Sequence, residues 1–178
     1  MALGDACNLY ESEGSKMVTF SQLWKNHPNV RRDDPLLDKT VYENQCAINM
    51  SAALIRAGVD MRTYRGTWSW QKDHPKYAIR AEELANWLAG GASRLPSKLT
   101  KYSGEEASNA FEKIDHRKGI IFFKDYYGPG MTGDHIDLYN GSRMTEVSSW
   151  LRIHARISWS GVWSNFREAK SIWFWELP

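Results

Sequence analysis

Apolar positions recur with a period near 3.6 in the first part of this chain and with a period near 2 in the second, so helices are expected first and strands afterwards. In "TFSQLWKNHP", Phe20, Leu23 and Trp24 share one face of a short helix that stops near Pro28. The next stretch, "NVRRDDPLLDKTVYEN", is polar and irregular. From Cys46 to Ala57, the residues Ala47, Met50, Leu54 and Ala57 return near helical spacing, and Gly58 supplies the usual stop. Residues 59–78 predict a long loop carrying Trp68, Trp70 and His74, and loops of that length in compact domains are often functional. Helices follow in "RAEELANWLAGG", with Ala81, Leu84, Ala85 and Leu88 in phase, and in "GEEASNAFEKI", with Ala107, Ala110, Phe111 and Ile114.

The strand signals come next. "GIIFFK", Gly119 to Lys124, is a continuous apolar run after a glycine and predicts a central strand buried on both faces. "DHIDLYNGSRMTEV" predicts a hairpin with arms His135 to Tyr139 and Ser142 to Val147, because Asn-Gly between alternating residues is the strongest short hairpin signal. "SIWFWEL" predicts a closing strand. The expected fold class is therefore α+β, with N-terminal helices packed on an antiparallel sheet in one domain spanning 17–178. Residues 1–16 carry Cys7, have no periodicity and precede a second methionine, Met17, so they are expected to form a flexible or appended leader.

Composition narrows the function classes. The 178 residues suit one domain with a real core. A formal net charge of +2 gives no broad basic field, which argues against a nucleic-acid partner. No apolar run approaches the roughly 18 residues that would insert in a bilayer. The N-terminus lacks the basic-then-apolar layout of a secretory signal, so the chain is expected to stay in the cytoplasm or to leave by a route that reads no such signal. Two cysteines make no disulfide framework, and with Cys7 in the leader no structural partner is expected for Cys46.

Cys46 stands where a helix begins. There, unsatisfied N–H groups and the helix dipole lower a thiol pKa and can bind an oxyanion. If Asn140 and Gly141 are the two residues of the hairpin loop, Tyr139 sits opposite Ser142 and His135 opposite Glu146, whose carboxylate would orient the imidazole. Asp137 lies one pair along on the same face and is the alternative third member. Ile136 and Leu138 face the other way and are expected to be buried, which puts His135 on a polar face. Cysteine, then histidine, then a polar residue, with helix before strand, is the papain-like order. On these features alone two readings stand: a Cys–His–acid catalytic site, or a satisfied structural histidine and a buried thiol.

In order, "ENQCAINMSAAL", the Arg-led "YAIRAEELANWL", "KGIIFFK", "HIDLYNGS" and the ending "WFWELP" resemble the fourth family of type VI secretion amidase effectors, papain-like cysteine peptidases of NlpC type. The resemblance covers nearly all of Met17 to Pro178. It implies hydrolysis of the D-glutamyl–meso-diaminopimelate bond of the peptidoglycan stem peptide, in the periplasm of a competing bacterium. It also implies delivery by the type VI secretion machinery and a cognate immunity protein that blocks the cleft. No cofactor is implied. Cys46 matches the nucleophile and His135 the general base. Glu146 stands where the family usually carries an aspartate, and Asn49 where it tends to carry an arginine that would touch substrate. Asn44 matches a polar position of the motif and could frame the oxyanion site.

Other features have plainer readings. His27, His74, His116 and His154 are expected to be surface or packing residues, since their spacing with Cys46 fits no metal site. "YYGPGMTGD" lacks the context of a phosphate loop and is expected to form a flexible rim before His135. Trp68, Trp70, Trp159 and Trp163 are core candidates, although two in a polar loop could act as sugar platforms. Two alternatives to the amidase remain at this level. One is a non-catalytic cell-wall-binding module, and the other is a papain-like acyltransferase or deamidase.

Overall fold

The computed structural model describes residues 17–145 and 166–178. Its first helix, α1 (Phe20–Asn26), starts with a capping box in which Thr19 and Gln22 each satisfy a backbone N–H of the other. It ends at His27, whose extended backbone immediately begins α2 (Pro28–Arg31) with Pro28 at the first helical position. The proline predicted to stop a helix therefore also starts one. Next come α3 (Cys46–Arg56) and α4 (Ala81–Ala89), with the predicted long loop between them.

Among the described residues the sheet has four strands: β1 (Lys98–Ser103), β2 (Gly119–Tyr127), β3 (Gly133–Tyr139) and β4 (Ser171–Glu176). Their order is β1-β4-β2-β3 and every pairing is antiparallel. The apolar run of β2 sits between β4 and β3, as its sequence predicts, and alternation splits it between two cores. Ile120 and Phe122 join Met50, Leu54, Leu84, Ile136 and Leu138 beneath the helices. Ile121 and Phe123 join Phe111, Ile114, Tyr139, Phe166 and Phe174 on the other face. Each of these large side chains is essentially solvent-free, worth about 1.5–3 kcal/mol apiece in removed apolar surface.

Three expectations are corrected. The single helix over 104–114 is two short ones, α5 (Glu105–Ser108) and α6 (Ala110–Lys113), interrupted at Asn109 with φ −108° and ψ 15°. Asn109 Nδ2 donates to the Glu105 carbonyl, the kind of local side-chain bond that competes with a continuous helix. Strand β1 was not expected from sequence, because "KLTKYS" at a sheet edge buries only Tyr102. It is legible afterwards as an edge guarded by lysines, with Lys101 Nζ 3.3 Å above the Trp173 ring.

The third correction concerns the hairpin. The loop has four residues rather than two: Tyr139 bridges to Met144, not Ser142, and the Asn140 N–H donates to the Arg143 carbonyl at 3.0 Å. The Asn140 side chain accepts from the N–H groups of Ser142 and Arg143, replacing the tight turn with its own. Gly141 is needed at φ +97°, where a Cβ would also press on the backbone of His116 at 3.0 Å. Of the predicted second arm, Met144 makes that bridge, and residues 146 and 147 lie outside the described residues. Among the described residues no helix is long and apolar enough to cross a membrane.

Candidate active site

Cys46 is the first residue of α3, and its neighbour Gln45 makes no side-chain cap. The leading N–H groups of the helix are therefore unclaimed by a capping side chain. The Ala47 N–H hydrogen-bonds the sulfur, and so does the N–H of Ile136. The second donor exists because the N–H of Ile136 is on the side of β3 away from β2. The fold thus brings the start of α3 against the open side of β3 and gives the sulfur two backbone donors.

The sulfur also hydrogen-bonds His135. His135 Nε2 lies 3.8 Å from Asp137 Oδ2, an ion-pair separation, which leaves Nδ1 as the nitrogen for the thiol. Phe123, Tyr126 and Phe166 surround the imidazole with ring centroids at 6.2 Å each. This aromatic box corrects the expected polar face: His135, Asp137 and Tyr139 share the face of β3 that carries the second core, where Asp137 is 3% and Tyr139 0% exposed while the His135 side chain stays 24% exposed at the cleft. Water is largely displaced from the His–Asp pair, which strengthens its electrostatics.

The charges respond accordingly. Burial alone would raise the Cys46 pKa, but the His135 hydrogen bond and charge, with the Ile136 and Ala47 donors, bring it below the ordinary thiol value. Burial would lower that of His135, yet the Asp137 carboxylate and the Cys46 sulfur hold it above the imidazole norm. Both shifts favour a thiolate–imidazolium pair. Since ionisation of Cys46 moves to lower pH, iodoacetamide will alkylate it faster than free cysteine at about pH 6.5, and the advantage will shrink as the free thiol itself ionises near 8.5. Equal rates at the lower pH would remove the thiolate from the reading.

Asp137 is held from several sides. Its Oδ1 accepts from the Leu138 N–H and the Thr145 hydroxyl, each at 2.7 Å, and Oδ2 accepts from the Thr145 N–H at 3.2 Å. His27 Nε2 stands 3.6 Å from Oδ1. Burial would raise the carboxyl pKa, but His135, His27 and Thr145 together lower it. Glu146, the other carboxylate candidate, lies outside the described residues. The pair count that set it opposite His135 assumed the two-residue loop, which the structure replaces.

Cys46 lies where two clefts meet. One, of about 330 Å³, is lined by His27, Lys39, Asn49, Tyr126 and Tyr127 among others. The second, of about 310 Å³, is lined by Arg80, Glu82, Glu83, Tyr127 and Asp134. Asn44 borders both. Asn49 borders the first, but its Nδ2 donates to Asn29 Oδ1 at 3.2 Å. Tyr126 and Tyr127 come from the glycine-rich rim, where a bulge in β2 carries them to the cleft, and Gly133 leaves room for the Tyr127 ring, because a Cβ there would lie only 2.5 Å from a ring carbon.

Sequence reasoning missed Phe166 and Thr145, whose roles arise only from long-range packing, and it set His27 among surface or packing residues although His27 abuts Asp137. His74 and His116 are exposed, and His154, Trp159, Trp163 and Cys7 lie outside the described residues. Trp68 packs edge-on against Tyr64, whereas Trp70 is 64% exposed beside Tyr42. Among the described residues no cluster of three or more His, Cys, Asp or Glu could hold a metal ion.

No curated protein sequence matches this chain. Several solved structures share its fold. One is the effector Tae4 from Salmonella typhimurium in complex with the immunity protein Tai4 from Enterobacter cloacae, at 18% identity over 90% of this chain and 99% of that one, with a TM-score of 0.58. Another is the Salmonella Typhimurium Tae4–Tai4 complex, at 17% identity over 90% and 98%, with a TM-score of 0.59. A third is Tae4 from Enterobacter cloacae, at 18% identity over 90% and 96%, with a TM-score of 0.57. The helix-first, antiparallel-sheet-second domain is thus the papain-like, NlpC-type fold. The family model for type VI secretion system amidase effector protein 4 matches residues 42–175, which include Cys46, His135 and Asp137, and the chain belongs to that family.

Proposed function

We propose that this protein is a cysteine amidase that hydrolyses the D-glutamyl–meso-diaminopimelate bond of the peptidoglycan stem peptide. The observation that carries the reading is the Cys46 sulfur at the start of α3, bonded to His135 and to two backbone N–H groups. Cys46 is the nucleophile, His135 the general base and acid, and Asp137 the carboxylate that orients the ring.

The chemistry follows from the geometry. His135 takes the thiol proton, and the thiolate attacks the carbonyl carbon of the scissile amide. The resulting oxyanion is met by the Cys46 N–H and the Asn44 side chain. Collapse transfers the proton from His135 to the leaving amine and leaves a thioester on Cys46. Water, deprotonated by His135, then attacks the thioester and releases the carboxylate product with the thiol restored. Asp137 keeps its charge throughout and stabilises the imidazolium.

The chain is delivered as a type VI effector and acts in the periplasm of the target cell, where the stem peptide is found. Its partner is a cognate immunity protein that covers the cleft, a reading supported by the solved complexes in which Tae4 is bound to Tai4. The test is mass analysis of purified muropeptides after incubation with the protein. Two fragments, one with a free diaminopimelate amine, are expected. A transfer adduct would point to acyl transfer instead, and unchanged muropeptides that remain bound would point to a binding module.

A further inference from the structure

His27 belongs to α1 and α2 rather than to the strand that carries His135, yet it is 1% exposed and lines the wall of the Cys46 cleft. Its two nitrogens have separate tasks. Nδ1 accepts the Asn29 N–H at 3.3 Å as the cap of α2, so it carries no proton, and the hydrogen of the neutral ring is on Nε2. That nitrogen faces Asp137 Oδ1 at 3.6 Å.

The same turn reaches Asp137 a second time. Asn29 Nδ2 donates to Thr145 Oγ1 at 3.1 Å, and Thr145 donates through its hydroxyl and its N–H to the two carboxylate oxygens. Asn49 closes the far side by donating to Asn29. The Oδ1 side of Asp137 is therefore filled by His27, the Leu138 N–H and Thr145, and Oδ2 is the oxygen turned to His135.

We propose that His27 is a positioning residue for the amidase: its Nε2–H, presented from the α1–α2 junction, fixes the rotamer of Asp137 and through it the His135 ring. The proposal rests on the amidase reading above. It adds a second histidine to the site that never touches substrate and acts only through the carboxylate. The Asn29–Thr145 bridge makes the arrangement stiff, because a turn that shifts must move both donors together.

The two nitrogens allow the roles to be separated. His27→Asn keeps a good N-cap acceptor but is too short to reach Asp137. His27→Gln places an amide N–H near the Nε2 position and weakens the cap. Expected is a loss of about tenfold in kcat on muropeptides for His27→Asn, with KM and melting temperature little changed, the scale of coupling between contacting polar groups. His27→Gln is expected to recover most of the rate while melting lower.

A cycle on Cys46 alkylation by iodoacetamide, which needs no substrate, completes the test. His27→Asn is expected to change the alkylation rate in the native background and to change nothing further once Asp137→Asn is present. Overturning the proposal would take full kcat in folded His27→Asn, or the same fractional effect on alkylation in both backgrounds. If the native protein leaves muropeptides uncut, the amidase reading fails, and the alkylation cycle still decides whether His27 acts through Asp137.

Discussion

Cys46→Ala will leave peptidoglycan sacculi and purified muropeptides uncut while the protein remains folded. The sulfur is the atom that attacks in the proposed mechanism, and removal of a nucleophile from a catalytic triad costs on the order of 10⁶ in turnover. Little structure depends on it. Cys46 is only partly buried at the end of α3, and the helix is held by Ala47, Met50, Leu54 and their neighbours in the core. The melting temperature should therefore stay close to that of the native protein. A second signature accompanies the loss. The Cys46 sulfur is one of the two groups that raise the His135 pKa, so in the alanine variant that pKa must fall, which NMR titration of the imidazole would read. Cleavage that survives in Cys46→Ala would end the cysteine-amidase reading, because no other cysteine is present in the described domain.

How far the sequence led depended on the range of the interactions. Helix α3 was legible because its signal is local: Ala47, Met50 and Leu54 repeat in phase, Gly58 ends the run at φ +89°, and a cysteine leads it. β2 and β4 were equally plain, since a strand buried on both faces shows itself as unbroken apolar sequence. The misses are long-range or side-chain-specific. β1 is a strand only because β4 offers it a ladder, and its own residues carry no alternation. The hairpin was misjudged because Asn140 folds its side chain over the loop, so the usual meaning of Asn-Gly did not apply. That difference of two residues matters more than its size suggests, since the choice between carboxylates followed from it. His27 could not be found by spacing at all: it is more than a hundred positions from Asp137, and the turn between α1 and α2 brings them together.

Asp137→Asn will be nearly inactive and Glu146→Gln will keep most of its activity, the reverse of what a two-residue hairpin loop implies. Tyr139 bridges to Met144, so counting pairs outward no longer sets Glu146 against His135. Asp137 meanwhile has Oδ2 at 3.8 Å from His135 Nε2, inside the aromatic box, and its pKa is lowered, so it is charged at neutral pH. An asparagine cannot copy it. Oδ1 accepts the Leu138 N–H and Oδ2 the Thr145 N–H, so an amide NH₂ in either orientation meets a backbone donor with another donor. One such clash in a buried site costs about 1–3 kcal/mol, which for a chain of this length is a drop of several degrees in melting temperature. The catalytic loss is larger. Without the carboxylate the imidazolium is no longer stabilised and its tautomer is no longer fixed, and changes of this kind at the orienting residue reduce turnover about 10⁴-fold. The pH dependence carries the same sign: losing Asp137 removes one of the groups that raise the His135 pKa, so the imidazolium will discharge at lower pH than in the native protein. Should Glu146→Gln prove inactive while folded Asp137→Asn cuts muropeptides at near the native rate, the carboxylate buried beside His27 serves the fold alone, and the third place in the triad passes to Glu146.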